Sequence, residues 1–463
     1  MLVRHRTPVR GAACAFAAQA GLRGRLIAPL AACLLALCLP ACSQFRDLYP
    51  TVNGMAAAGQ YDQAVALIQK HKDDYGNRNF VLYELDLGTM LHYAGKYDQS
   101  NKAFAAAEQR MDELFTESIT GNVAAFAVND NLLPYKGEDF ESVIVDVYQA
   151  LNYVQLGNME NALVYARKVD EKLNYINTKY DADKKNVYKA DAFARMLMGA
   201  FYEMSGSRDD LNDAYISSRL ATSIYDKDFA VNYGVSAPAV LGANLLTDAA
   251  FMGSDEVSQA RQRFPSIPLL TEADKSKEGQ LYFVHFAGRA PVKVEKDIVG
   301  AYGTYLVKVA FPEYRRVNYL VTGSQVLVDG QVATTLDAAE PVGPIAMKNL
   351  DNRKTRIYAK AIARAGAKLA ANIVLQQQAQ KQGGDLAGLL AAVVGDTAAV
   401  ATEQADLRCW QTLPDRILFG RVLLPPGKHT IQVRFTPSGG TKDLGEVEVS
   451  PGRTRFYIYQ TVN

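Results

Sequence analysis

A six-residue phrase occurs twice in this chain, and its spacing constrains the fold more than any other feature. Gly59-Gln60-Tyr61-Asp62-Gln63-Ala64 returns 36 residues later as Gly95-Lys96-Tyr97-Asp98-Gln99-Ser100. A period of that length holds one helical hairpin, which cannot bury its apolar face alone and has to stack on a neighbour. Small residues such as Gly88 and Ser100 let paired helices approach closely, and Tyr97 and Phe104 fill the space between hairpins. A third copy reads Ala150, Tyr153, Gly157, Ala162 and Ala166. A looser fourth reads Gly199, Tyr202, Gly206 and Ala214.

The second copy, with Leu87, Gly88, Leu91, Gly95, Tyr97, Phe104 and Ala107, resembles the tetratricopeptide pattern. That resemblance implies a helical solenoid over residues 42–262 whose first helices line a concave face. Thr89, His92 and Tyr93 of the second copy and Gln155 of the third are then expected to point into a groove that holds a protein or peptide partner. Tyr93 is the strongest candidate, because aromatic side chains dominate binding hot spots.

The start of the chain has a different character. Residues 1–41 hold five arginines and no acidic residue, and an apolar run extends from Leu26 to Leu39. A charged start followed by a short apolar core marks a secretory leader, and the run is shorter than the roughly 20 residues that span a bilayer. Leu39-Pro40-Ala41-Cys42 closes it and resembles the lipobox of bacterial lipoproteins. Cys42 is thus the expected acylation site, and Ser43 after it favours the outer membrane, with the chain facing the periplasm. Acyl chains add about 0.8 kcal/mol per buried methylene, so the anchor needs no transmembrane helix.

Between the second and third repeats, Tyr135-Lys136-Gly137-Glu138-Asp139-Phe140-Glu141 opens a new helix. Its acids read as caps of that helix's N-terminus. Together with Ala405-Asp406-Leu407-Arg408-Cys409-Trp410, this block resembles an uncharacterised family of Gram-negative outer-membrane lipoproteins.

Phe264-Pro265-Ser266-Ile267-Pro268 and the polar stretch after it read as a linker over residues 263–279. Beyond it the apolar period changes from helical to twofold. Strands are expected over 280–340, with a hairpin turn at Asp329-Gly330, and again over 416–461, where Pro-Gly turns resemble small PEGA-type sandwiches. Helices are expected between them, over 344–404. One face of these carries the cationic row Arg356, Lys360, Arg364 and Lys368, read as a solvated face, and residues 386–401 form a small-residue helix packed on the basic one. The fold expected is multidomain, α and α+β: a helical solenoid followed by a β-rich domain with an inserted helical segment. Trp410, the sole tryptophan, is expected to plug the seam between helix and sandwich.

The net charge of +1 falls to −4 without the five leader arginines, which argues against nucleic-acid binding. His71, His92, His285 and His429 stand at no metal-ligand spacing, and no nucleophile motif or phosphate-binding loop is present. Neither metal nor cofactor is expected. The reading is therefore a non-enzymatic, lipid-anchored scaffold binding a protein or peptide of the cell envelope. A structural subunit of an oligomeric envelope complex is the alternative, and a hydrolase the least favoured reading.

Overall fold

Three glycines explain why the repeated phrase makes hairpins. Gly59, Gly95 and Gly157 take φ values of 73°, 72° and 71°, the left-handed region in which a Cβ is disfavoured. Each turn closes with the same two backbone bonds, as when Gly95 N donates to His92 O at 3.0 Å and Lys96 N to Leu91 O at 2.9 Å. This pairing satisfies the last carbonyls of a helix and reverses the chain. It joins α1 (Tyr49–Ala57) to α2 (Tyr61–Lys70), α3 (Phe80–Tyr93) to α4 (Tyr97–Thr120), and α5 (Asp139–Gln155) to α6 (Met159–Lys179).

The computed structural model describes residues 44–120, 130–179, 188–205, 207–303 and 305–463. Leader residues 1–41, Cys42 and Gly206 lie outside the described residues. The chain divides into two units, Met1–Leu48 and Tyr49–Asn463. In the first, Gln44–Leu48 forms a short 3-10 turn, and all that follows concerns the second.

The helical half continues with α7 (Ala192–Ser205), α8 (Arg208–Ile224), α9 (Ala239–Met252) and α10 (Ser254–Arg263). Successive hairpins stack, α4 on α5, α6 on α7 and α8 on α9. As expected for the small positions, Gly88 lies so close to the Phe104 ring that a Cβ would meet it at 2.7 Å, and Ser100 Oγ donates to Gly88 O at 2.8 Å.

The β-rich half comprises β1 (Gly279–Ala287), β2 (Val292–Tyr302), β3 (Tyr305–Arg315), β4 (Gly323–Val328), β5 (Gln331–Thr335), β6 (Asp337–Glu340), β7 (Arg416–Leu424), β8 (Gly427–Thr436), β9 (Thr441–Val449) and β10 (Thr454–Thr461). One sheet has the order β10-β1-β7-β6, with β10 parallel to β1 and the other neighbours antiparallel. A second has the order β5-β4-β8-β9, and β2 pairs with β3 in a separate ribbon. The two strand groups that are separate in sequence thus interleave into one sandwich, filled by Leu281, Phe283, Val326, Ile431 and Val433. Asp329 and Gly330 turn β4 into β5 with φ of 50° and 81°, as their turn chemistry predicts.

Every residue of β1 is buried, so its alternation does not mark a half-exposed strand. Leu281 and Phe283 face the sandwich core, while the Tyr282 hydroxyl accepts from Asn244 of α9 at 3.1 Å and Phe286 stacks on Tyr148 of α5 at 4.9 Å. The sheet therefore lies between the helices and the second sheet, and needs apolar side chains on both faces.

The inserted helical segment is α11 (Val342–Thr402), which breaks at Gly384 (φ 75°, ψ −173°) and folds back on itself. Gly388 then lies over Gln380 and Gly395 over Asn372, so the small-residue half packs on the basic half as expected.

Residues 263–279, expected as a linker between a helical domain and an α+β domain, pack on the helices. Helices and sandwich belong to one unit, and residues 263–279 are not a free tether. Phe264 is buried, Ile267 packs with Leu245 and Leu246, and the buried Lys275 ammonium lies 2.6 Å from Glu203 Oε2. The turn-forming prolines were legible in the sequence. The apolar side chains between them, which dock under α9, decide the outcome.

Candidate functional site

The face expected to bind a partner is covered by the chain itself. Thr89 is fully buried and His92 and Tyr93 nearly so, at 2% and 8% exposure. Thr89 Oγ1 accepts from Trp410 Nε1 at 3.0 Å and donates to Leu85 O at 2.9 Å. His92 lies edge-on to Phe286 of β1 at 5.1 Å, and its Nδ1 is 2.6 Å from Asn152 Oδ1. Asn152 spends its amide on Ser100 and Asn101, so its oxygen accepts and His92 Nδ1 carries the proton. Burial lowers the His92 pKa to about 4, which keeps the ring neutral. The carbonyl of Tyr93 accepts from Gln460 Nε2 at 3.2 Å, and half-buried Gln155 donates to Phe456 O at 3.1 Å. The four groove residues are thus brought together, but against β1, β10 and the 403–415 segment rather than an open groove. The resemblance to the repeat pattern held no signal that a strand more than 360 residues downstream of Tyr93 would cover this face.

Trp410 joins the halves. It is 1% exposed, its ring lies 5.7 Å from both Phe104 and Tyr148, and its backbone N–H donates to Glu141 Oε1 at 2.8 Å. Glu141 is itself the third residue of α5, where its carboxylate accepts from Glu138 N at 3.0 Å and from the Tyr135 hydroxyl at 2.6 Å. Of the acids expected to cap this helix, Glu138 and Glu141 do so reciprocally, and Glu141 also receives the downstream half of the chain.

Beside this junction lies a cavity of about 510 Å³. Its walls come from the 130–138 segment, β3, the first half of α11 and residues 405–408, so the two blocks singled out in the sequence meet on it. Six basic side chains line it, Lys136, Lys293, Arg353, Lys360, Arg364 and Arg408, against three carboxylates, Asp130, Glu138 and Asp406. The apolar part of the wall includes Leu133, Tyr135, Leu350 and Ile357.

The carboxylates hold the cations in place. Lys293 and Arg353 both pair with Glu138, Lys360 and Arg364 both pair with Asp130, and Arg408 Nη2 lies 2.7 Å from Asp406 Oδ2. Arg408 also donates to the carbonyls of Leu133 at 2.9 Å and Asp130 at 3.0 Å, with its guanidinium 5.3 Å above the Tyr135 ring. Crowding of positive charge shows at two groups. Burial first, then Arg356, lower the Arg353 pKa to about 10. Loss of solvent lowers that of Lys136, with Arg353, Lys360 and Arg356 adding to the fall and Asp139 opposing it.

Of the cationic row on α11 only Arg356 is exposed, and the solvated face expected for the other three is corrected. Arg364 is buried between Asp130 and Glu403, and Lys368 reaches Glu403 Oε2 at 2.6 Å. An i, i+4 spacing shows that charges share a face but not what faces them, and Asp130 is more than 220 residues away. Lys293 and Arg353 have no such pattern and were not legible at all. A pocket with excess positive charge and apolar walls suits an anion carried on an apolar body.

A scan against models of known protein families finds no match, and no curated protein matches the sequence.

Proposed function

We propose that the chain is a non-enzymatic, lipid-anchored binding scaffold of the cell envelope, acylated at Cys42 and facing the periplasm from the outer membrane. Its helical half is read as a variant of the tetratricopeptide solenoid whose concave face has been given over to internal packing. Partner recognition moves to the basic cavity, which receives an acidic segment of a protein or peptide. The observation that carries this reading is the convergence of both family-like blocks and the α11 cations on one cavity of about 510 Å³. The lipobox-like Leu39-Pro40-Ala41-Cys42 supports the anchor.

The test uses the full-length protein in mild detergent, titrated with a fluorescent acidic peptide and with its neutral amide counterpart. The acidic peptide is expected to bind and the neutral one not, with affinity at least tenfold weaker in Lys360→Glu. A Thr89→Ser variant, altered on the covered face, should bind as the wild type does. Equal binding of both peptides, or no effect of Lys360→Glu, would remove the cavity from the account.

A further inference from the structure

In the second half of α11 the usual arrangement of large and small residues is inverted. Gly388, Ala392 and Gly395 turn inward onto the first half, while Leu386, Leu389, Leu390, Val393 and Val394 face outward at 58–71% exposure. The outward residues recur at i, i+3, i+4, i+7 and i+8, a continuous apolar stripe of the kind that seats another helix.

The ribbon packed on this helix carries a second such surface. β2 pairs with β3 along one edge, and its residues 295–302 are all exposed. The far edge of β3 is covered, because α11 packs along it and Asp396 accepts from Leu306 N at 3.1 Å. Among the described residues β2 has no strand on its other side. Natural edge strands usually carry charges that discourage pairing. β2 has Glu295, Lys296 and Asp297 at its base, and no charge from Ile298 to Tyr302.

We propose that a second copy of this chain covers this helix–ribbon arm, with the β2 strands of the two copies pairing antiparallel across a twofold axis. Hydrocarbon does not complete a strand edge, since unpaired N–H and C=O groups are not buried in lipid, so the occupant brings a strand of its own. Charge matching selects the same surface of another copy, because residues 298–307 and 386–395 are two uncharged runs. With Ile298 opposite its own counterpart, Asp297 meets Val299 and Glu295 meets Ala301, so no like charges oppose each other. The stripe residues and Ile298, Val299 and Tyr302 are all more than half exposed, so the arm offers apolar surface on both its helix and its ribbon for such a contact. Since this ribbon offers one open edge among the described residues, that of β2, the contact is isologous and closes at two.

The test places a cysteine at the axis. Ile298→Cys in the full-length protein, oxidised in intact membranes, is expected to yield a covalent dimer, since the residue meets its own counterpart. Differently tagged wild-type copies should co-purify in mild detergent. Ile298→Lys with Val393→Lys, at positions 64% and 58% exposed, should abolish co-purification while leaving the melting temperature unchanged. Absence of both the cross-link and co-purification overturns the proposal. So does co-purification that survives the double lysine variant, or a monomer whose arm enters phosphatidylethanolamine–phosphatidylglycerol vesicles instead.

Discussion

Asp86 shows how much of this protein's stability rests on single buried side chains. It is fully buried in α3 and accepts from Tyr49 at 2.9 Å, Tyr75 at 3.0 Å and Thr412 at 2.8 Å. Burial nevertheless raises its pKa to about 7, with the three donors pulling the other way. The folded form therefore keeps a proton between about pH 4 and 7 that the unfolded chain releases, so the contribution of Asp86 to stability falls as pH rises through that window. His92 and His285 act in the opposite sense, because burial lowers them to about 4 and about 3 and they resist protonation below about 6.5. Asp86→Asn isolates one side of this balance. The wild type should lose more stability than the variant between pH 5 and 8, by on the order of 1–3 kcal/mol. Denaturant unfolding at both pH values measures the difference, and parallel curves would exclude a raised Asp86. Nothing in the sequence marks Asp86, since its partner Thr412 lies more than 300 residues on. Trp410 was legible as a plug because a sole tryptophan beside a helix–strand boundary has few other places to go.

Among the elements, those specified by local chemistry were the legible ones. The hairpin glycines, the Asp329-Gly330 turn and the capping box at Glu138 each satisfy backbone groups within a few residues, so their signals are short-range. Gly95→Ala should cost about 1–2 kcal/mol for the left-handed conformation alone, as no atom lies within 4 Å of the added Cβ. Gly300→Ala in β2 meets equally open space without a positive φ, and should be close to neutral. Thermal unfolding of the two variants provides the comparison, and equal losses would contradict the conformational account. Pairing between distant elements was not legible. That β7 inserts between β1 and β6, and that Asp130 meets Arg364, depend on which apolar faces meet across long stretches of intervening chain.

At the scale of the molecule, the helices and the sandwich form one compact unit where separate domains were expected. A fragment of residues 49–262 would expose Thr89, His92, Tyr148 and Phe201 along the face that β1, β10 and Trp410 cover. It should not melt cooperatively, whereas the full chain should show one transition. Circular dichroism with calorimetry distinguishes the two, and a sharply melting fragment would restore the separate helical domain.

β10 pairs in parallel with β1 and contacts the helices through Phe456 O, Gln460 Nε2 and the Phe456 ring, which lies 5.9 Å from that of Phe201. The aromatic face of the helices is contributed by residues far upstream in the chain, and its cover by residues 454–461. Without residues 454–461 the rings of Phe201 and Tyr282 lose the Phe456 ring that lies against them, so removal of this one strand opens an aromatic wall on both the helices and the sheet.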